Sequence, residues 1–463
     1  MACFGEKVAA YRQEMVERLC ELVRIKSVSL TGPEGMPFGE GPRRALDYTL
    51  QLARSLGFTA VDVDGYAGYA EYGEGEDYIA VISHLDVVPE GSGWTDPPYS
   101  ATIRDGVIYG RGVSDNKCSA IASLYALKTL KEEGIPFRHK VRLIFGCSEE
   151  TGMADMDHYF QKEPYPVFGF SPDSGYPIVN GEKGILDCWL RGEIGEGKIL
   201  SLSSGEAFNV VPDQAKAVLS RERLTAEEEK RLRQVIIPSD GGPADFSLEE
   251  GERKLVLTAF GKTSHGANPE GGVNALLKLI CLLSRTVAEE GGMQKFLDGV
   301  SHKIGMTYDG AGMGVACSDE QSGPLTMNAG GMVRISGGEI AVSLDIRYPV
   351  SLDGEQLLER LGQSARESGL SVSLERLSPP LNVPGDSPWI ALLADAYREM
   401  TGEVAALVTI SGGTYSRKSN NTCVGFGAAG SGAHHADENL RIDDFIRHAS
   451  IMTQALFHLV QKE

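Results

Sequence analysis

The chain has 463 residues, enough for two or three domains with cores of their own. An apolar fraction of 42% and a charged fraction of 23% are those of an ordinary globular protein, which excludes a disordered or fibrous one. A formal charge of -20 opposes nucleic acid and anionic membranes, and no apolar run is long enough to cross a bilayer, so neither is expected as a partner. The cysteines (Cys3, Cys20, Cys118, Cys147, Cys188, Cys281, Cys317, Cys423) are scattered with no CxxC spacing. Reduced thiols in the cytoplasm are therefore expected, rather than a disulfide framework. The N-terminus is polar and leads straight into a helical pattern, so no secretory leader is expected.

Residues 8–25 predict a helix, with Val8, Tyr11, Met15, Leu19, Leu22 and Val23 on one face. A second helix is expected over 42–56, closed by Gly57. Short strands at 59–63 and 69–72 precede a buried strand at 78–83, which runs into Ile82-Ser-His-Leu-Asp-Val-Val-Pro89. Side chains alternate along a strand, so His84 and Asp86 should share a side. That suits a metal ligand with a carboxylate fixing its tautomer, although His-x-Asp alone also describes a core histidine bonded to its neighbour. Residues 102–109 predict a hairpin turning at Asp105-Gly106. Gly110-Arg-Gly-Val-Ser-Asp-Asn-Lys117 then leads into a helix over 119–133. Strands at 141–145 and 167–170 end in Gly146-Cys-Ser-Glu-Glu-Thr-Gly152 and Ser171-Pro-Asp-Ser-Gly-Tyr-Pro177. Strands alternate with helices, the pattern of an α/β sheet, and each motif lies just past a strand end, where such sheets build their sites.

From about Gly184 the pattern changes. Strand-like runs at 185–190, 215–219, 254–260, 340–348 and 370–374 are separated by helical stretches such as 273–290, which predicts an inserted α+β domain. Asp386-Ser-Pro388 opens a helix through Met400, and the chain closes on a helix over 442–461.

Ligand-type residues recur at these strand ends: His84, Asp115, Glu149-Glu150, Asp173 and, in Ala433-His-His-Ala-Asp-Glu438, His434. Singly each has a plain reading. Asp115 could cap a helix, the glutamates could line a solvated loop, and His434-His435 could be surface residues. Together, with Gly181-Glu-Lys-Gly184, Asn209-Val-Val-Pro-Asp213, Gly261-Lys-Thr-Ser-His-Gly266, Ile346-Arg-Tyr-Pro349 and Gly412-Gly-Thr-Tyr-Ser-Arg417, they resemble one family over essentially the whole chain. It is the co-catalytic metallopeptidase family that includes carboxypeptidase G, aminoacylase and succinyl-diaminopimelate desuccinylase, and the branch resembled is that of the peptidase V dipeptidases.

The resemblance implies an α/β, two-domain fold: a mixed-sheet, zinc-peptidase-like catalytic domain formed by 1–183 and 382–463, with an inserted α+β lid at 184–381. It implies two divalent metal ions per chain, one held by His84 and Asp173 and the other by Glu150 and His434, with Asp115 bridging. Asp86 would support His84, and Glu149 would be the general base acting on a metal-bridging hydroxide. Imidazoles and carboxylates together suit zinc first, or manganese or cobalt. Two dications would be balanced by three carboxylates and that hydroxide. In the lid, the resemblance gives His265 an oxyanion role, and Arg347, with Asn209 helping, is the candidate anchor for a substrate carboxylate. The lid looks longer than in dimeric relatives, which implies a monomer.

The implied activity is cleavage of the amide bond of a small dipeptide. An N-acyl-amino-acid deacylase on the same site, or an inactive metal- or peptide-binding protein, are the alternatives. Cys118-Ser119 stands where Gly and Pro are usual, which leaves the backbone beside Asp115 open. Ser174-Gly175 replaces the larger residues often found after the ligand Asp. Cys118 and Cys147 are expected to be small buried hydrophobes rather than ligands.

Overall fold

The computed structural model describes residues 4–235, 245–289 and 291–462. Cys3, and Glu290 at the end of the helix expected over 273–290, lie outside them. The chain forms two compact units, Met1–Glu182 with Leu381–Glu463 and Lys183–Pro380. Among the described residues no helix is long and apolar enough to cross a membrane.

A nine-stranded mixed sheet organises the first unit. Its order is Thr59–Val63, Ala67–Tyr72, Lys140–Gly146, Tyr78–His84, Phe168–Ser171, Cys423–Gly427, Gly175–Glu182 and Leu381–Asn382, with Leu407–Ile410 also paired to Gly175–Glu182. The central strand Tyr78–His84 runs parallel to both neighbours and is buried along its whole length. That explains why it reads as an unbroken apolar run rather than an alternating one. Ile79 and Val81 pack on one face against the helices Arg12–Val23, Glu40–Ser55, Lys117–Glu132, Pro388–Thr401 and Ile442–Val460. Tyr78, Ala80 and Ile82 face the other side, against Met156, Tyr159 and Tyr415. The chain leaves this unit after Glu182 and re-enters at Leu381, whose strand pairs with the one just left.

Several expected elements differ at their ends. The helix expected over 8–25 divides into a 3₁₀ turn, Gly5–Tyr11, and a helix, Arg12–Val23. The hairpin turns where Asp105 and Gly106 both take positive φ, as a two-residue turn of that type requires. The helix Ala154–Lys162 and the strand Gly175–Glu182 had no clear periodic signal. Each is short or punctuated by polar residues.

The second unit holds two four-stranded antiparallel sheets. One runs Thr326–Ser336, Glu339–Tyr348, Gly184–Glu193, Ser371–Ser378, and the other Ile199–Ser203, Gln214–Ser220, Lys254–Phe260, Phe246–Glu250. The helices Ala275–Thr286, Gly291–Lys303 and Gly354–Glu367 share one apolar core with them. Asn274 and Asp353 cap the first and last of these by accepting from Leu277 N, and from Glu355 N and Gln356 N.

Candidate metal centre

The strand Tyr78–His84 ends on a buried histidine. His84 Nδ1 lies 2.9 Å from the main-chain oxygen of Asp86. A carbonyl only accepts, so Nδ1 carries a proton, and in the neutral ring Nε2 would turn its lone pair to the site. Nε2 is 2.8 Å from Asp115 Oδ1 and 3.6 Å from Asp173 Oδ2. The Asp86 carboxylate is farther from the ring, at 3.5 Å, and is used elsewhere. It accepts from the amides of Glu149 and Glu150, at 3.1 Å each, and so fixes the backbone of that glutamate pair.

Asp115 stands just before the helix Lys117–Glu132, between two imidazoles. Its Oδ1 meets His84 and its Oδ2 lies 3.1 Å from His434 Nε2. His434 Nε2 is also 3.1 Å from Glu150 Oε1. Asp173 Oδ1 accepts from Asn116 Nδ2 at 3.0 Å. The potential ligand atoms of His84, Glu149 and Asp173 lie within 4.8 Å of one another, as do those of His84, Asp115 and Glu150. The strand-end residues separated in sequence by up to 350 positions are thus one cluster, and it includes every candidate ligand from the first unit.

Its electrostatics are those of too many acids in one place. Burial, then the nearby Asp173, pushes the Glu149 carboxyl far above its usual range. Burial and Asp115 raise Asp173 to about 7. Burial works against a charged His84, but Asp173 and Asp115 outweigh it and raise its pKa. Hydrogen bonds to Asp115 and Glu150 raise His434 to about 10. Asp115 is held well below its usual range because, although burial opposes it, two imidazoles flank it. Nitrogen and carboxylate donors without thiolates fit zinc, manganese or cobalt, and a divalent cation would relieve the crowding of acids. The donor set therefore fits two such ions.

The supporting residues were not visible as such in the sequence. Asp155, buried at the start of its helix, accepts from Cys147 N at 2.6 Å, from Ser148 N at 2.9 Å and from the hydroxyl of Tyr415. It pins the turn that carries Glu149 and Glu150. The Tyr415 ring stands edge-on to His84, with centroids 6.3 Å apart. Tyr415 lies inside a motif quoted for the resemblance, which was the available signal, whereas nothing near Asp155 marks it. Ser119 Oγ donates to Pro172 O at 3.0 Å and meets His448 Nε2 at 3.2 Å, so it ties the helix start to the Asp173 loop. Cys118 and Cys147 are buried, and burial raises both thiols, Cys118 to about 12. They remain protonated and pack as small apolar groups.

The second unit holds His265, Asn209 and Arg347. His265 is exposed on the short strand Ser264–His265, paired with Val210–Val211. Its Nδ1 accepts from Ala267 N at 3.1 Å, which places the proton of the neutral ring on Nε2. Gly266 N donates to Asn209 O at 2.7 Å, and a side chain at Gly266 would press on Asn209 and on the Asp345 carboxylate. Asp345 in turn grips Arg347, Nε to Oδ1 at 2.8 Å and Nη2 to Oδ2 at 3.2 Å. The three residues are therefore grouped around Gly266. Arg347 is buried, not a charge on a strand surface.

The family described as Peptidase family M20/M25/M40 matches residues 80–458. A Bacillus subtilis protein named "Putative dipeptidase YtjP" is 36% identical over 470 residues, covering 98% of this chain and 99% of its own. Among solved structures, an M20 family metallo-carboxypeptidase, Sso-CP2, from Sulfolobus solfataricus has a TM-score of 0.60 at 20% identity, over 96% of this chain and 99% of that one. Human carnosine dipeptidase 1 has a TM-score of 0.57 at 15% identity, over 99% of both chains. These two likenesses are of fold.

Proposed function

The chain belongs to peptidase family M20/M25/M40, and from that premise we propose that this metallopeptidase cleaves the single amide bond of dipeptides. The observation that carries the reading is the meeting of His84, Asp115, Glu150, Asp173 and His434 beside Glu149, whose amide Asp86 holds. His84 and Asp173 would hold one divalent cation, Glu150 and His434 the other, and Asp115 both. Zinc comes first, then manganese or cobalt. Such ions, when bound, acidify a water and polarise a carbonyl oxygen.

Glu149 is the general base. Its amide is fixed by Asp86, so its carboxylate can take the proton of the attacking water and pass it to the leaving amine. Asp86 positions it through the backbone, and Asp155 and Tyr415 hold the same turn from behind. Residues 184–381 act as a lid on a discontinuous catalytic domain. From it His265 offers its Nε2 proton to the charge that develops on the substrate carbonyl oxygen. Arg347, with Asn209, receives the substrate carboxylate, and Asp345 sets the plane of its guanidinium. The enzyme works as a monomer in the cytoplasm.

The test is a panel of dipeptides and acetylated amino acids, assayed on chelator-dialysed protein reloaded separately with zinc, manganese and cobalt. Dipeptides with a free α-amine should be cleaved fastest. Faster hydrolysis of acetylated amino acids would make it a deacylase. A reloaded protein inert on the whole panel would leave only a binding role.

A further inference from the structure

Glu438 closes the motif that carries His434, yet it takes no part in the cluster itself. It is fully buried, and both its oxygens are committed. Oε1 accepts from the amides of Gly112 at 3.1 Å, Ser114 at 2.9 Å and Asp115 at 3.1 Å. Oε2 accepts from Gly112 N at 3.1 Å and from Arg111 Nη1 at 2.7 Å. Gly112 turns its amide inward at φ +85°, a conformation that favours glycine. One carboxylate thus gathers three amides of one loop and a buried guanidinium, and the last amide is that of Asp115.

The two segments it joins need such a fastening. His434 and Asp437 both hold positive φ, at 66° and 57°, which is uncommon outside glycine and persists only where the surroundings impose it. The His434 side chain is 53% exposed, so its own packing does not impose it. The surrounding bonds do. Gly110 N donates to Glu438 O, Ser114 Oγ donates to Ala429 O, and Asp437 receives the amide and hydroxyl of Thr95. Within this clasp, Glu438 is the group that bonds directly to the residue facing His434.

We propose that Glu438, anchored by Arg111, is a positioning residue that sets the separation of His434 from Asp115 and thereby retains the cation shared by His434, Glu150 and Asp115. The proposal rests on the ligand assignment above. Glutamine at 438 keeps one acceptor but turns an NH₂ toward groups that are all donors. The amides and Arg111 then lose a buried charge-assisted partner. Supports of this kind are worth 10–100-fold in metal affinity.

The experiment is calorimetric titration of chelator-stripped protein with zinc ions alone, without substrate. Wild type should bind two zinc ions per chain. Glu438→Gln should weaken one of them about 10–100-fold and leave the other within about twofold. Adding His434→Ala to Glu438→Gln should weaken that same ion no further than His434→Ala alone, since both changes act on one site. Arg111→Lys keeps the charge but loses the guanidinium that bonds Glu438 Oε2 through Nη1 and Glu90 O through Nη2, and should give a smaller loss at the same site. It carries the test if Glu438→Gln does not fold. Equal weakening of both ions, or of neither, in the folded variant overturns the proposal. A wild type that binds fewer than two ions overturns the ligand assignment and this inference together. Two ions bound by a wild type inert on dipeptides would overturn the dipeptidase reading and leave this inference intact.

Discussion

The two groups of residues proposed for catalysis are built on opposite terms. In the first unit Asp115, Glu149, Glu150 and Asp173 crowd four carboxylates around the imidazoles of His84 and His434, with burial and mutual repulsion driving Glu149 and Asp173 toward their neutral forms. In the second unit each acid has an arginine of the chain beside it. Arg347 is forked on Asp345, and Asp187, which faces Asp345 on one side, is held by Arg376 from the strand on its other side, although burial and Asp345 still raise the Asp187 carboxyl to about 6. His265 and Asn209 are exposed and tied in by backbone hydrogen bonds. The first group needs a cation from outside the chain to be comfortable, and the second does not. Substitutions in the first group should therefore separate into those that lose metal and those that lose only chemistry. Substitutions of the exposed residues of the second group should leave metal and fold untouched.

The largest effect belongs to Glu149. If it is the base and not a ligand, Glu149→Gln keeps two metals per chain and loses about 10⁴-fold in kcat, the upper end for a general acid–base group. Metal analysis of the purified variant beside single-turnover rates reads both. Loss of one metal with a proportional loss of activity would mean that Glu149 and Glu150 have exchanged roles.

Next comes His265→Ala, which tests the other side of the comparison. It should keep both metals and the melting temperature while kcat falls by about 10²–10³-fold, with a smaller change in KM. A kcat within a few-fold of wild type on a good dipeptide would make His265 a turn residue that merely accepts from Ala267.

What the sequence made legible follows from how each group is built. The cluster of the first unit could be located because each member sits just past a strand end in a contiguous motif. The supports could not, since they are tertiary. Asp86 reaches the amides of Glu149 and Glu150 across more than 60 residues of chain, and Glu438 reaches Gly112 across more than 320. Arg347 is the instructive intermediate. Asp345 and Arg347 stand two apart on one strand, so they share a face, and their pairing was there to be read. The short helix Ala154–Lys162 was not, and Asp155 with it.

A third prediction concerns the framework behind the cluster. His448 is buried, its Nδ1 2.9 Å from Tyr176 Oη and its Nε2 3.2 Å from Ser119 Oγ. Burial lowers its pKa from 6.5 to about 4. Between those values the unfolded chain takes up a proton that the folded one refuses, so stability rises with pH across that window. Acidification from 6.5 to 4 should cost about 3 kcal/mol through this group alone. His448→Gln should be slightly less stable at neutral pH and should lose that part of the acid slope. Denaturant midpoints for the two proteins from pH 7 to 4 check it, since other titrating groups are common to both. Parallel slopes would show that His448 titrates normally.

The smallest expected effect is the one most easily misread. Arg347→Ala would strand Asp345 as a buried unpaired charge, a loss of about 3–5 kcal/mol in stability. A raised KM in that variant would then report damage as much as lost binding. Arg347→Lys is the cleaner probe. It keeps the positive charge beside Asp345 but replaces a planar fork with a point donor, which grips one carboxylate and cannot orient a second. If Arg347 receives the substrate carboxylate, the lysine variant should raise KM about tenfold, or about 1.4 kcal/mol, with kcat within a few-fold. Wild type should likewise handle a dipeptide amide poorly beside the free acid. The two results must agree, because one removes the fork and the other removes the group it holds. An unchanged KM in the lysine variant, with equal rates on acid and amide, would leave Arg347 as the partner of Asp345 and nothing more. The second unit's charges would then be wholly structural, and His265 alone would link that unit to the chemistry.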